Sequence, residues 1–206
     1  MARHRSSSPP GVILRTFIAI ELDPAIATAL RELQDDMRRL LPQRLVRWVR
    51  PEGIHLTLKF LGDTPADRQA EIERALTAAA AEAPPCSLAV QGLDCFPDRR
   101  RPRVIWVGIS EPTGRLRALW RSIGENMSVL GWPAEKRGFQ PHLTLGRVQR
   151  HASPVDRRGI GEAVGRANVG WLGGMDVQAV SFIKSDLRPT GAVYATLAEV
   201  SLRGPR

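Results

Sequence analysis

The tetrapeptide HLTL occurs twice in this chain of 206 residues, at His55–Leu58 and at His142–Leu145, 87 positions apart (142 − 55). Side chains alternate between the two faces of a β-strand, so each copy presents its histidine and threonine on one face and its two leucines on the other. We expect the leucines to anchor each strand and the other two side chains to face a groove. One copy in each half of the chain favours two similar lobes that face each other.

The remaining sequence mixes strand and helix patterns without regular alternation, which favours an α+β protein with largely antiparallel sheets. Residues 1–11 are predicted to be a disordered tail, and residues 12–206 a single bilobal domain. Besides the HLTL strands, β-branched and apolar runs predict strands at 12–20, 44–49, 87–96, 103–109, 176–187 and 192–202. Helices are predicted from Pro24 to about 41, from a Thr64–Pro65 cap to about 83, over 113–130 and, weakened by glycines, over 154–168.

The net charge of +9 favours a polyanionic partner. Three of the 30 basic residues are lysines, so 27 are arginines, whose planar guanidinium matches phosphate oxygens. A general preference for arginine across the source genome would give the same composition. No apolar run reaches the roughly 18 residues of a membrane helix, and no signal peptide is recognisable. Cys86 and Cys95 are therefore expected to be free thiols in a cytoplasmic protein.

Two histidines and two threonines in one groove suit acid and base chemistry on a phosphate. Imidazole has a reference pKa of about 6.5, so near neutrality one ring can donate a proton while the other accepts one. Threonine hydroxyls add donors for the phosphoryl oxygens. A single histidine in a strand is usually structural, but the exact repeat of HLTL favours catalysis. These residues alone do not say whether His55 or His142 is the acid.

A metal site fits the two motifs poorly, because neither HLTL strand carries a second histidine or a carboxylate. We therefore predict no metal and no cofactor, and we expect His4 and His151 to be surface residues. Arg147 stands five positions after His142, which puts it on the opposite face of a straight strand. Gly146 allows a bulge that would return Arg147 to the groove as a phosphate ligand. Lys59 is expected to face solvent.

At this point the sequence resembles a known family. HLTL fits the HxTx motif, two copies of which define the 2H phosphoesterase superfamily. The segments RTFIAI, WVRPEGIHLTLKFLG, RRPRVIWVG, FQPHLTLGR and IKSDLRPTGAVY resemble the bacterial and archaeal RNA 2',3'-cyclic phosphodiesterases, formerly called 2'-5' RNA ligases. The resemblance covers almost all of residues 14–200. Gly53 stands where an asparagine is common in the family, and Gly146 where an alanine is common.

The resemblance implies a bilobal fold in which two mainly antiparallel sheets face a central cleft, with helices on the outside. It implies metal-free opening of a 2',3'-cyclic phosphate at an RNA end to leave a 2'-phosphate. His55 would donate the proton to the leaving oxygen and His142 would accept one from water, while Thr57 and Thr144 hold the phosphate.

The expected partner is an RNA or oligonucleotide with a cyclic phosphate end, and the protein is expected to be a monomer without an obligate protein partner. Two alternatives stay open: 2'-5' ligation by the same site, and a non-catalytic RNA-binding module. The sequence does not assign a role to the arginine-rich segment from Arg99 to Arg103.

Overall fold

The computed structural model describes residues 11–135, 138–188 and 191–204, so nearly all of the predicted tail lies outside the described residues. The strands are β1 (Ile13–Ile20), β2 (Val46–Trp48), β3 (Leu56–Pro65), β4 (Cys86–Phe96), β5 (Val104–Ser110), β6 (His142–Val148), β7 (Trp171–Val177), β8 (Ala179–Arg188) and β9 (Gly191–Ser201). The helices are α1 (Pro24–Leu40), α2 (Gln69–Ala81), α3 (Arg115–Val129) and α4 (Pro154–Arg166).

Two antiparallel sheets form the framework, which confirms the predicted α+β class. The first sheet has the strand order β3-β1-β8-β9, and the second has the order β2-β6-β5-β4-β7. The first HLTL copy therefore lies at an edge of the first sheet, and the second copy lies inside the second sheet. The sheets do not follow the halves of the sequence, because β8 returns to pair with β1, and β9 pairs with β8.

Helices cover the sheets and bury the leucines of both motifs. Helix α1 contacts β7, α2 contacts β8 and β9, α3 contacts β3, and α4 contacts β4. The four HLTL leucines are at most 2% exposed and belong to one hydrophobic core: Leu56, Leu58, Leu143 and Leu145. Strands β3 and β6 also contact each other. Burial of the leucines thus fixes both strands in place.

Helix α4 is better defined than its glycines suggested. Ser153 and Asp156 form a capping box, with the Ser153 hydroxyl accepting from the Asp156 amide at 3.1 Å. Gly161 is needed for close packing, because a Cβ at this position would lie 1.7 Å from the Arg99 carbonyl oxygen. The predicted helix is therefore confirmed, and Gly161 allows it to pack closely against the loop that contains Arg99.

Two predicted boundaries are wrong. Thr64 and Pro65 end β3 rather than capping α2, because the Thr64 hydroxyl is buried and lies 2.8 Å from the Thr16 hydroxyl across the sheet. A short 3-10 turn then leads into α2. The predicted strand 176–187 is divided between two sheets: its first two residues end β7, which pairs with β4, and β8 begins at Ala179.

Both cysteines are buried free thiols, as predicted. Burial raises the pKa of Cys86 to about 11 and that of Cys95 to about 12. Within the described ranges, no helix is long and apolar enough to cross a membrane.

Candidate active site

A bulge in β6 decides where Arg147 points. Thr144 pairs with β5, Leu145 is an extra residue without a partner in β5, and Gly146 pairs with the next position of that strand. One extra residue reverses the alternation of faces beyond it, so Arg147 returns to the face that carries His142 and Thr144. The bulge expected at this position is present.

The lack of a side chain at Gly146 fits the bulge. A Cβ on Gly146 would lie 2.8 Å from the Val46 Cγ1 atom and 3.1 Å from the Trp48 Cε3 atom. Real Cβ atoms avoid such distances, and both neighbours belong to β2, which pairs with this end of β6. Gly146 therefore lets β2 and β6 approach, while the Arg147 side chain stays exposed.

A second bulge, in β3, places Lys59 away from solvent. Thr57 pairs with β1, Leu58 is the extra residue, and Lys59 pairs with Ile18, which belongs to the hydrophobic core. Lys59 is 3% exposed, and its ammonium group donates to the Pro133 carbonyl. Burial lowers the pKa of this ammonium group. The expectation that Lys59 faces solvent is wrong, because the bulge turns it toward the loop that follows α3.

His55 lies among aromatic rings of the first sheet. Its imidazole stacks on Phe17 with ring centroids 4.5 Å apart and planes 22° apart, and the Tyr194 ring meets it edge-on at 5.1 Å. Phe60 lies 6.1 Å from Phe17 and is 62% exposed. The imidazole is thus held between two side chains, and an exposed aromatic ring extends the same surface.

This apolar setting changes the acidity of His55. Burial lowers the pKa of its imidazole from 6.5 to about 4, against the weaker opposing effects of a backbone hydrogen bond at Gly53 and the charge of Glu21. The ring is therefore neutral near pH 7 in the ligand-free protein.

His142 has a matching environment in the second sheet. The Phe96 ring meets its imidazole edge-on at 4.8 Å, and the Trp106 ring lies 6.0 Å away. The Nδ1 atom lies 2.8 Å from the Gln140 carbonyl oxygen. A carbonyl only accepts, so this hydrogen bond requires the proton on Nδ1 and leaves Nε2 as the free base. Burial lowers the pKa of His142, and the nearby charge of Arg147 lowers it further.

The charge of Arg147 connects the two sheets. It lowers the pKa of His142 in the second sheet, and it also opposes the burial that raises the pKa of Tyr194 in the first sheet. Tyr194 touches His55. The charge of Arg147 therefore acts on a ring in each sheet, and strands β3 and β6 contact each other.

The predicted site residues thus lie in two groups: His142, Thr144 and Arg147 share one face of β6 in the second sheet, and His55 and Thr57 stand at the start of β3 in the first. Both threonines are half-buried. His151 is exposed, as expected, and His4 lies outside the described residues. Among the residues that the structure describes, no three His, Cys, Asp or Glu side chains lie together as a metal site requires.

The aromatic partners of the histidines were missed at the sequence level. Phe17 lies in β1, which pairs with the first HLTL strand, and Trp106 pairs directly with Thr144 of the second. Phe96 and Tyr194 come from strands farther along each sheet. Strand order across a sheet depends on long-range pairing, so no local pattern in the sequence signalled these contacts.

A cavity of about 530 Å³ adjoins the second motif. Its lining includes Trp106, Gly108 and Gln140, and Gly108 is the β5 residue that pairs with His142. The cavity therefore lies over β4 and β5, next to the strand that carries the second motif.

Comparison with known proteins supports one family. The family model described as LigT like Phosphoesterase matches residues 20–106. A protein named RNA 2',3'-cyclic phosphodiesterase from Methanothermobacter thermautotrophicus is 32% identical over 89% of this chain and 96% of its own length. The crystal structure of TT0787 from Thermus thermophilus superposes with a TM-score of 0.77 at 26% identity, over 94% of this chain and 100% of that one.

The crystal structure of E. coli LigT complexed with 3'-AMP has a TM-score of 0.69 at 23% identity, and it covers 93% of this chain and 99% of its own. At this identity the likeness shows the fold alone.

Proposed function

Because the chain belongs to the family of LigT-like phosphoesterases, we propose that it hydrolyses 2',3'-cyclic phosphates at RNA ends with the two HLTL histidines as acid and base. The observation that carries the proposal is the pair of histidine and threonine faces, one from each sheet, together with Arg147, which shares the face of His142 and whose charge acts on a ring in each sheet. The name of the relative from Methanothermobacter supplies the substrate class. Among the described residues, no three His, Cys, Asp or Glu side chains are grouped around either histidine, and the proposed chemistry uses no metal.

The proposed reaction adds one water across one P–O bond. His142 Nε2 accepts a proton from the water, whose oxygen forms a new bond to phosphorus. The bond between phosphorus and the ribose 3' oxygen breaks, and His55 gives that oxygen its proton. A 2'-phosphate and a free 3' hydroxyl result, and the direction of proton transfer is the one that the family resemblance implies. Thr57, Thr144 and Arg147 stabilise the negative charge that grows on the phosphoryl oxygens.

The acidity of His55 makes its role depend on the substrate. With a pKa of about 4, only about 0.1% of the ring is protonated at pH 7. A phosphate charge about 4 Å away contributes about 4 kcal/mol at an effective dielectric constant near 20, which is about 3 pKa units. That interaction raises the pKa of His55 toward neutrality in the complex, where the ring can act as an acid. Binding of the anionic substrate thus allows His55 to carry the proton that it then donates.

The proposal is tested with an RNA ending in a 2',3'-cyclic phosphate. We expect the unmodified protein to leave a 2'-phosphate, and His55→Asn and His142→Asn to lose turnover by about 100-fold or more while they keep affinity. His151→Asn is the matched control, because His151 is exposed and stands outside the site. A 3'-phosphate product would contradict the assignment of the leaving oxygen, and a longer RNA product would indicate ligation.

A second experiment tests the absence of a metal. Activity should survive exhaustive chelation. Loss of activity that one specific divalent metal restores would contradict metal-free hydrolysis.

A further inference from the structure

The arginine-rich loop between β4 and β5, residues 97–103, has a fixed shape. The Asp98 carboxylate accepts from the backbone amides of Arg100 at 2.7 Å and Arg101 at 2.9 Å. Pro102 is buried, and its carbonyl accepts from the Arg157 guanidinium of α4 at 2.9 Å. The loop is therefore held by its own acid at one end and by α4 at the other, so its exposed side chains project from a defined backbone.

Three guanidinium groups of this loop have no ion-pair partner in the part of the chain that the structure describes. Arg99 pairs with Asp94 at 2.9 Å and so is neutralised within the protein. Arg100, Arg101 and Arg103 are exposed, and none of them forms an ion pair with another described residue. The fold thus presents a small surface with three unneutralised cations.

The loop leads into β5, the strand that pairs with the second motif. The Arg103 carbonyl accepts from the Val148 amide at the end of β6, at 2.9 Å, and Val104 pairs with Arg147. On the other side of β6, Arg47 pairs with Arg147. Like charges placed directly opposite on neighbouring strands repel each other, and an anion bound across them removes the repulsion. In the order of strand pairing, the arginines therefore form a row from Arg47 on β2, past Arg147 on β6, to the loop before β5.

We propose that this row binds the phosphates of the RNA strand upstream of the cyclic phosphate. The residues are Arg47, Arg100, Arg101 and Arg103, and the inference rests on the proposed function. Guanidinium groups match phosphate oxygens in a two-point geometry, and contacts to phosphates carry no base preference. The bound class is a single strand of RNA read by its backbone.

The distance from the second motif to the loop follows from the register of β5. Gly108 pairs with His142, and Val104, which follows the loop, pairs with Arg147. These β5 positions are four residues apart, or about 13 Å at about 3.3 Å per residue. A mononucleotide held at His142 therefore does not reach the loop arginines, whereas a longer strand does.

The test compares substrates of increasing length, from a nucleoside 2',3'-cyclic phosphate to a hexanucleotide that ends in one. For the unmodified protein, kcat/KM should rise with length and level off once the strand reaches the loop. The triple variant Arg100→Ala/Arg101→Ala/Arg103→Ala should lose the gain on long substrates and keep its rate on the mononucleotide, which also shows that the variant is folded.

A matched control removes the same charge elsewhere. Arg74→Ala/Arg117→Ala/Arg121→Ala changes three exposed arginines on α2 and α3, helices that contact the first sheet. Single-strand binding loses about 0.7 from its log–log salt slope for each phosphate contact removed, so the loop variant should lower the slope by about 2 and the control should not.

Two results overturn the inference: a loop variant that keeps the normal length dependence and salt slope, or a control variant that loses as much as the loop variant. Equilibrium binding of a hexanucleotide with a 3'-phosphate end separates this outcome from failure of the proposed function. If no protein opens any cyclic phosphate, the proposed function fails. The inference then stands only if binding weakens in the loop variant and not in the control.

Discussion

Replacing His55 by glutamine is predicted to make the fold less sensitive to acid. Burial lowers the pKa of His55 to about 4 in the folded protein, whereas the unfolded chain returns to about 6.5. Since the unfolded state then binds the proton more tightly, the free energy of unfolding falls as the pH drops from about 6.5 toward 4. The contribution is absent above pH 7 and fully expressed below pH 4.

The size of the effect follows from the two pKa values. At pH 5 the ring is about 97% protonated in the unfolded chain and about 9% protonated in the folded one. The resulting loss is about 2 kcal/mol, from RT ln[(1 + 10^1.5)/(1 + 10^−1)] with RT of about 0.59 kcal/mol. Below pH 4 it approaches about 3.4 kcal/mol, which corresponds to about 2.5 pKa units.

The assay is urea unfolding of the unmodified protein and of His55→Gln, each at pH 7.5 and pH 5.0. Between these values the unmodified protein should lose about 2 kcal/mol more than the variant. The cost of losing the ring contact with Phe17 is independent of pH and cancels in this double difference, as do the other titrating groups. Equal losses in the two proteins would refute the reasoning that His55 is held neutral by burial.

Three further predictions concern the other residues that set up the site. Thr144→Val should lower kcat by about 100-fold with little change in unfolding free energy, because it removes a donor to the reacting phosphate; circular dichroism and single-turnover rates check this. Arg147→Ala should raise the pKa of His142, since the guanidinium lowers it; an NMR titration that shows no rise would contradict the placement of Arg147. Gly161→Ala should reduce the unfolding free energy by about 1–3 kcal/mol, because its Cβ would overlap a loop carbonyl. Gly159→Ala is the control on the same helix, since a Cβ there meets nothing within 4 Å; equal urea midpoints for the two variants would contradict this reading.

The faces of the HLTL strands could be predicted because they depend on a local rule. Alternation alone separates His55 and Thr57 from the leucines, and the structure buries the leucines as expected. The return of Arg147 to the site was also accessible, since Gly146 signalled a possible bulge.

The wrong expectation for Lys59 shows that alternation of faces does not hold across a bulge. The β3 bulge falls at Leu58, with no glycine beside it to signal the change of face. Most of β7 was missed for a related reason. Gly173 and Gly174 interrupt any apolar alternation in this segment, and the segment is a strand because it pairs with β4. Long-range pairing likewise determines which aromatic rings flank each histidine.

The pH dependence of the single-turnover rate on a cyclic-phosphate RNA tests the central claim most directly. From pH 5 to pH 9 the unmodified protein should give a bell-shaped profile, with a rising limb from deprotonation of His142 and a falling limb from deprotonation of His55 in the complex. In the residual activity of His142→Asn the rising limb should be absent, and in that of His55→Asn the falling limb should be absent. A flat profile for the unmodified protein across this range would contradict the two-histidine mechanism.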